Sequence, residues 1–172
     1  MAKATLSTSA ALTQILLLFD ALLFGFVLLG ALFVPDIGGR GPWFLAASGL
    51  KVLIAAAWLV WLHGVVQRAA RPDLPSPTLA LLAFVVPIVR LVAPGWVMWR
   101  LAQLSAPRLR WLVLLWLPTW HLGRLAVGAG DEPGMDVGVA VANLVACFAA
   151  MVLVQRIDLG VAVRGSSDSL SA

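Results

Sequence analysis

Charge is scarce in this chain: Asp, Glu, Lys and Arg make up 12% of its 172 residues, about half the share of an ordinary soluble domain, while 62% are hydrophobic. That balance excludes a water-soluble globule with a charged shell. There is one cysteine, Cys147, inside an apolar run, which excludes an intrachain disulfide and a thiolate metal cluster. HExxH, GxSxG, Walker and Rossmann glycine patterns are missing, and no two acids are spaced for catalysis. The sequence therefore nominates neither catalytic residues nor a metal site. The formal charge is +4, but its basic residues sit at the ends of apolar runs rather than in a patch that could track phosphates. Nucleic acid is not an expected partner.

What is abundant is long apolar sequence. A bilayer crossing takes roughly 20 such residues, and five segments approach that length: 12–34, 43–66, 78–94, 111–129 and 135–154. The first is too long for a signal-peptide core and carries Asp20 in its middle, so a retained span is expected there. The third holds Pro87, Arg90 and Pro94 close together, and each proline removes a backbone donor and crowds the preceding turn.

Basic residues collect on the cytoplasmic side, which arbitrates the third segment. If it dips in and returns, Lys3, Arg68, Arg71, Arg100, Arg108, Arg110, Arg156 and Arg164 share the cytoplasmic side, leaving Arg40 and Arg124 outside. A full crossing scatters them and places the Asp131-Glu132 loop inside. The expected fold is thus all-α: a membrane bundle of four spanning helices plus a short or re-entrant third element, with both termini cytoplasmic, in a bacterial inner membrane. Residues 95–105 read as an interfacial amphipathic helix, with Val97, Met98, Leu101 and Leu104 on one side and Arg100 and Gln103 on the other. Residues 1–163 form one membrane domain in this reading, and 164–172, RGSSDSLSA, a disordered cytoplasmic tail.

The stretch FVVPIVRLVAPGWVMWRLAQLS resembles a bacterial membrane family catalogued as domain of unknown function 4328. Phe84, Pro87, Ile88, Leu91, Pro94, Val97 and Ser105 carry the likeness, with WLVWLHGVVQRA upstream and VLVQRI near the end similar to the family's second helix and closing segment. The resemblance covers most of the chain from about Trp43 and implies a multi-spanning helical fold without an assigned activity.

A charge at the bilayer centre costs roughly 2.5–3.5 kcal/mol on insertion scales, which singles out Asp20, Lys51 and Arg90. At about 1.5 Å per residue, Asp20 and Lys51 fall at similar depths on antiparallel neighbours, so they suit either a register-fixing pair or an ion or proton path, with Arg90 as a rival partner. His63 and His121 are the two histidines; either is a candidate ligand for haem or a chlorophyll-type pigment, although most such residues are packing or interface groups. His121 and Arg124 share a helix face and suit a polar outer vestibule. Gly138, Ala142, Ala146 and Ala150 recur every four residues, a stripe that lets helices approach closely in lipid, with Asn143 beside it as a hydrogen-bonding residue. The expected role is a non-enzymatic accessory, scaffold or sensor subunit that associates with other membrane subunits or with itself; a small transporter or channel and a pigment-binding subunit are the alternatives.

Overall fold

The computed structural model describes residues 5–33, 42–69, 71–86, 92–125 and 133–168. All regular structure among these is helical. Helix α1 spans Thr8–Phe33, α2 Pro42–Ala69, α3 Pro77–Val85, α4 Ala93–Ser105, α5 Leu112–Leu125 and α6 Pro133–Asp168, with a 3₁₀ turn at Pro107–Leu109. Three stretches are long and apolar enough to cross a membrane: Thr8–Phe26, Gly49–Ala69 and Val137–Arg164. Leucine, isoleucine and phenylalanine side chains stand exposed along the outside, among them Ile15, Phe19, Leu22 and Phe26 of α1. Each would lose about 1.5–3 kcal/mol of burial energy in water and loses little in hydrocarbon, so the architecture fits an integral membrane protein.

Prolines set the shorter elements. Ser76 caps α3, its hydroxyl accepting from the Leu79 N–H at 3.3 Å, and Pro77 occupies the first helical position, where no N–H is needed. At the other end Val86, the residue before Pro87, is extended with ψ 122°, as the clash with a following proline ring demands. Nine residues rise only about 14 Å, so α3 by itself is too short to span. Within α5, Pro118 has no N–H to offer the Leu114 carbonyl, and the Thr119 hydroxyl beside it is shared between the carbonyls of Leu115 and Trp116 at 2.8 and 3.0 Å.

Helix α6 is the hub, packing against α1, α2, α4 and α5. Its buried residues Ala140, Asn143, Cys147, Ala150, Val154, Ile157 and Val161 alternate by three and four, a seam that stays on one face for six turns. That continuity corrects two expectations. The helix does not end near Val154 but runs to Asp168, because Ile157 and Val161 extend the same seam; and residues 164–168, expected in a disordered tail, are its last turns, with 169–172 outside the described residues.

The apolar side of α4 packs inward. Val97, Met98 and Leu101, three of the four residues expected on its apolar side, are fully buried against the bundle, while Trp96 is exposed and Arg100 half-buried. Close by, α4 and α6 nearly touch: a Cβ on Gly160 would lie 2.5 Å from the Ser105 carbonyl oxygen and 2.9 Å from its Cα. Only glycine permits that approach. Among the described residues, Trp58, Trp61, Trp116 and Trp120 join α2 to α5, Trp58 stacking on Trp116 with centroids 5.4 Å apart and meeting Trp61 edge-on at 5.2 Å.

Two polar centres as the candidate functional site

Polar groups buried in an apolar bundle need partners, and α1, α2 and α6 supply them at two levels. The first centre gathers around Asp20, well inside the apolar stretch of α1. Asp20 of α1 is buried, with Lys51 of α2 4.0 Å from its Oδ2 and the Cys147 thiol of α6 donating to the same oxygen at 3.3 Å. The Lys51 ammonium donates to Asn143 Oδ1 at 2.8 Å and lies 4.7 Å from the centre of the Phe24 ring, a cation–π contact. Asn143 in turn donates to the Val139 carbonyl one turn back. Asp20 Oδ1 has no hydrogen-bond partner among the described residues, and the Lys51 side chain keeps 32% of its surface exposed. This centre is incompletely satisfied.

The second centre sits at the end of the bundle where α1 begins and α2 finishes. Asp158 of α6 is fully buried and receives four donors. Ser7 N–H reaches Oδ2 at 2.7 Å, while the Ser7 hydroxyl at 2.9 Å, Trp61 Nε1 at 3.3 Å and the Arg68 guanidinium all reach Oδ1. Each donor has a local reason to be there. Ser7 precedes α1, and its oxygen accepts from the Ala10 N–H as an N-cap. Arg68 lies in the last turn of α2, where a cation complements the helix dipole, and it also donates to the Gly64 carbonyl at 3.2 Å. Asp158 stands fifteen residues beyond Asn143, so the two centres are about 22 Å apart along α6.

Sequence reading passed over Asp158, because it fell just outside the expected last span, where a charge next to Arg156 looks like an ordinary interface residue. The available signal was its spacing: Asp158 directly follows Ile157 and lies four residues past Val154, within the inward-facing seam.

The remaining candidates disperse. His63 is exposed, whereas His121 is half-buried and lines a cavity of about 80 Å³ with Trp58, Phe84, Pro94 and Trp120. That volume is well below the 300 Å³ at which ordinary ligand pockets begin and far too small for a macrocycle. No group of three or more His, Cys, Asp or Glu residues suited to a metal occurs among the described residues. Arg90 and the side chain of Arg124 lie outside the described residues. Of the small-residue stripe, Ala146 and Ala150 pack inside the bundle and Ala142 is half-buried, while Gly138 is exposed with open space where a Cβ would go. Its inner half therefore serves packing within the chain itself.

No family model, curated protein or solved structure matches the chain.

Proposed function

We propose that the chain is a non-enzymatic accessory, scaffold or sensor subunit of a bacterial inner membrane, acting through helix association, and that it belongs with the family of unknown function it resembles. The observation that carries this reading is the outer face of α1. Leu12, Ile15, Phe19, Leu22, Phe26 and Leu29 follow one another at alternating spacings of three and four, and all are more than half exposed. Such a seam of large side chains along the whole helix suits knobs-into-holes packing with a partner helix. Asp20 with Lys51 and Asp158 with Arg68 meanwhile pair between α1, α2 and α6.

The topology proposed with it has four spans, a third element that enters and returns, α4 beside the cytoplasmic headgroups, and both termini in the cytoplasm. Two observations support it: α3 is too short to cross, and Ser7, Arg68, Ser105 and Asp158 share one end of the bundle with the neighbouring Arg71, Arg108, Arg110 and Arg156.

Purification from the native membrane in mild detergent, with mass spectrometry of co-eluting proteins and an absorption scan, tests the reading. A stable larger complex that Leu22→Ala with Phe26→Ala dissociates is expected. A lone monomer at native abundance would refute association, and colour in that fraction would point to a pigment near His63 or His121.

The unsatisfied Asp20 Oδ1 beside the partly exposed Lys51 favours one second reading, a small transporter or channel using Asp20, Lys51 and Arg90. Asp20→Asn separates the two, since a pathway loses flux and a scaffold does not.

A further inference from the structure

A groove of about 230 Å³ runs between α4 and α5, lined by Val92, Gly95, Trp96 and Trp99 on one side and Val113, Leu114 and Leu117 on the other. Its shape depends on Gly95, where a Cβ would come within 2.7 Å of Leu117 Cδ2. The helices are antiparallel here: Trp99 and Val113 lie toward the arginine-rich end, and Val92 and Leu117 lie deeper.

Two arginines lie against the tryptophans of this lining. The Arg100 guanidinium lies 6.0 Å from the centre of the Trp96 ring and that of Arg110 5.3 Å from the centre of the Trp99 ring. Trp96 and Trp99 are three residues apart on one face of α4, so both cations are held above adjoining rings of the same wall. Neither guanidinium has a carboxylate partner among the described residues, in contrast to Arg68. The rings restrict the guanidinium planes while leaving their N–H groups available, the condition for bidentate recognition of phosphate oxygens.

From this charge complementarity we propose that the groove binds one anionic phospholipid, its phosphate bridged by Arg100 and Arg110 and part of an acyl chain lying along Trp96, Leu114 and Leu117. An apolar groove whose tryptophans carry two cations without a carboxylate partner among the described residues matches the amphiphile in both chemistry and polarity, whereas a helix from a partner would leave those charges facing apolar side chains. The inference rests on the membrane reading alone and is independent of whether α1 has a protein partner.

Native mass spectrometry of the full chain in detergent, with phosphatidylglycerol and phosphatidylcholine added in equal amounts, tests it. Phosphatidylglycerol adducts should exceed phosphatidylcholine adducts about thirtyfold, the ratio that corresponds to about 1 kcal/mol for each of the two arginines at an anionic headgroup. R100Q with R110Q should bring the ratio to about one, Leu117→Trp should lower binding of both lipids by filling the groove, and Arg156→Gln, on exposed α6 surface, should change nothing. Retention on gel filtration and helical circular dichroism show that each variant is folded; single R100Q and R110Q variants, each lowering the ratio partway, serve if the double variant is not. Equal binding of the two lipids by the wild type, an equal loss in Arg156→Gln, or displacement of the lipid by millimolar inorganic phosphate would overturn the proposal.

Discussion

The two polar centres draw on the same three helices and are finished very differently. At the end of the bundle, both Asp158 oxygens accept hydrogen bonds and four donors converge on one carboxylate. Well inside the apolar stretch of α1, Asp20 has one satisfied oxygen, a thiol donor and an ammonium at 4.0 Å. Depth alone argues for the reverse, since an unmet polar group costs more the farther it lies from water. A fully satisfied carboxylate where α1 starts and α2 stops fixes the helices relative to one another. A partly satisfied one at mid-depth leaves a group able to change partners. Stability is thereby assigned to one centre and adaptability to the other.

Disabling the finished centre should have the largest effect. Asp158→Ala strips Arg68, Trp61 and Ser7 of their acceptor and leaves a cation against the bundle, so a loss of about 3 kcal/mol is expected, read as the midpoint of unfolding by denaturant in detergent. Tightness at the same end gives the second effect. Gly160→Ala pushes a methyl into the Ser105 backbone, which cannot rotate away as a side chain would, and should cost about 2 kcal/mol. Gly138→Ala on the same helix meets nothing and should stay within about 0.5 kcal/mol of wild type. Equal small gains at the two glycines would mean that the helix propensity of alanine, rather than the α4–α6 approach, governs both.

Sequence reveals such features unevenly. Apolar runs gave the helical class and the nearness of Asp20 to Lys51, because positions on antiparallel neighbours can be counted from their ends. Pro87 marked where the third segment breaks and extended chain follows α3, since a proline's fixed ring acts locally whatever surrounds it. For Asp158 only the inward position was legible, and for Gly160 nothing was, for the opposite reason: their roles depend on Ser7 and Ser105, which are 151 and 55 positions away in the chain. Trp96, Arg100 and Gly95 were visible as an amphipathic pattern, but a pattern on α4 does not reveal that α5 supplies the second wall of the groove. Likewise, the four-residue stripe on α6 identified a packing surface without saying that its inner half would be filled by the chain itself.

The smaller effects belong to the unfinished centre. Lys51→Met removes the donor to Asn143 and the only cation near Asp20 among the described residues, and should cost about 1–2 kcal/mol. Adding Asp20→Asn to that variant should restore about half the loss, because the stranded charge is gone, and a double-mutant cycle measures the coupling directly.

Asp20→Asn by itself should be the mildest, under about 1 kcal/mol. The amide keeps the carboxylate's shape and an oxygen for the Cys147 thiol, and Lys51 retains its 2.8 Å bond to Asn143. What disappears is the attraction to an ammonium at 4.0 Å, and with it the cost of burying the anion, two terms of opposite sign. A loss matching that of Asp158→Ala would show that the mid-span carboxylate is as structural as the end one, and would remove the case for adaptability. A small loss, together with altered ion or proton flux in reconstituted vesicles, would give the mid-span centre a working role that the scaffold reading does not require.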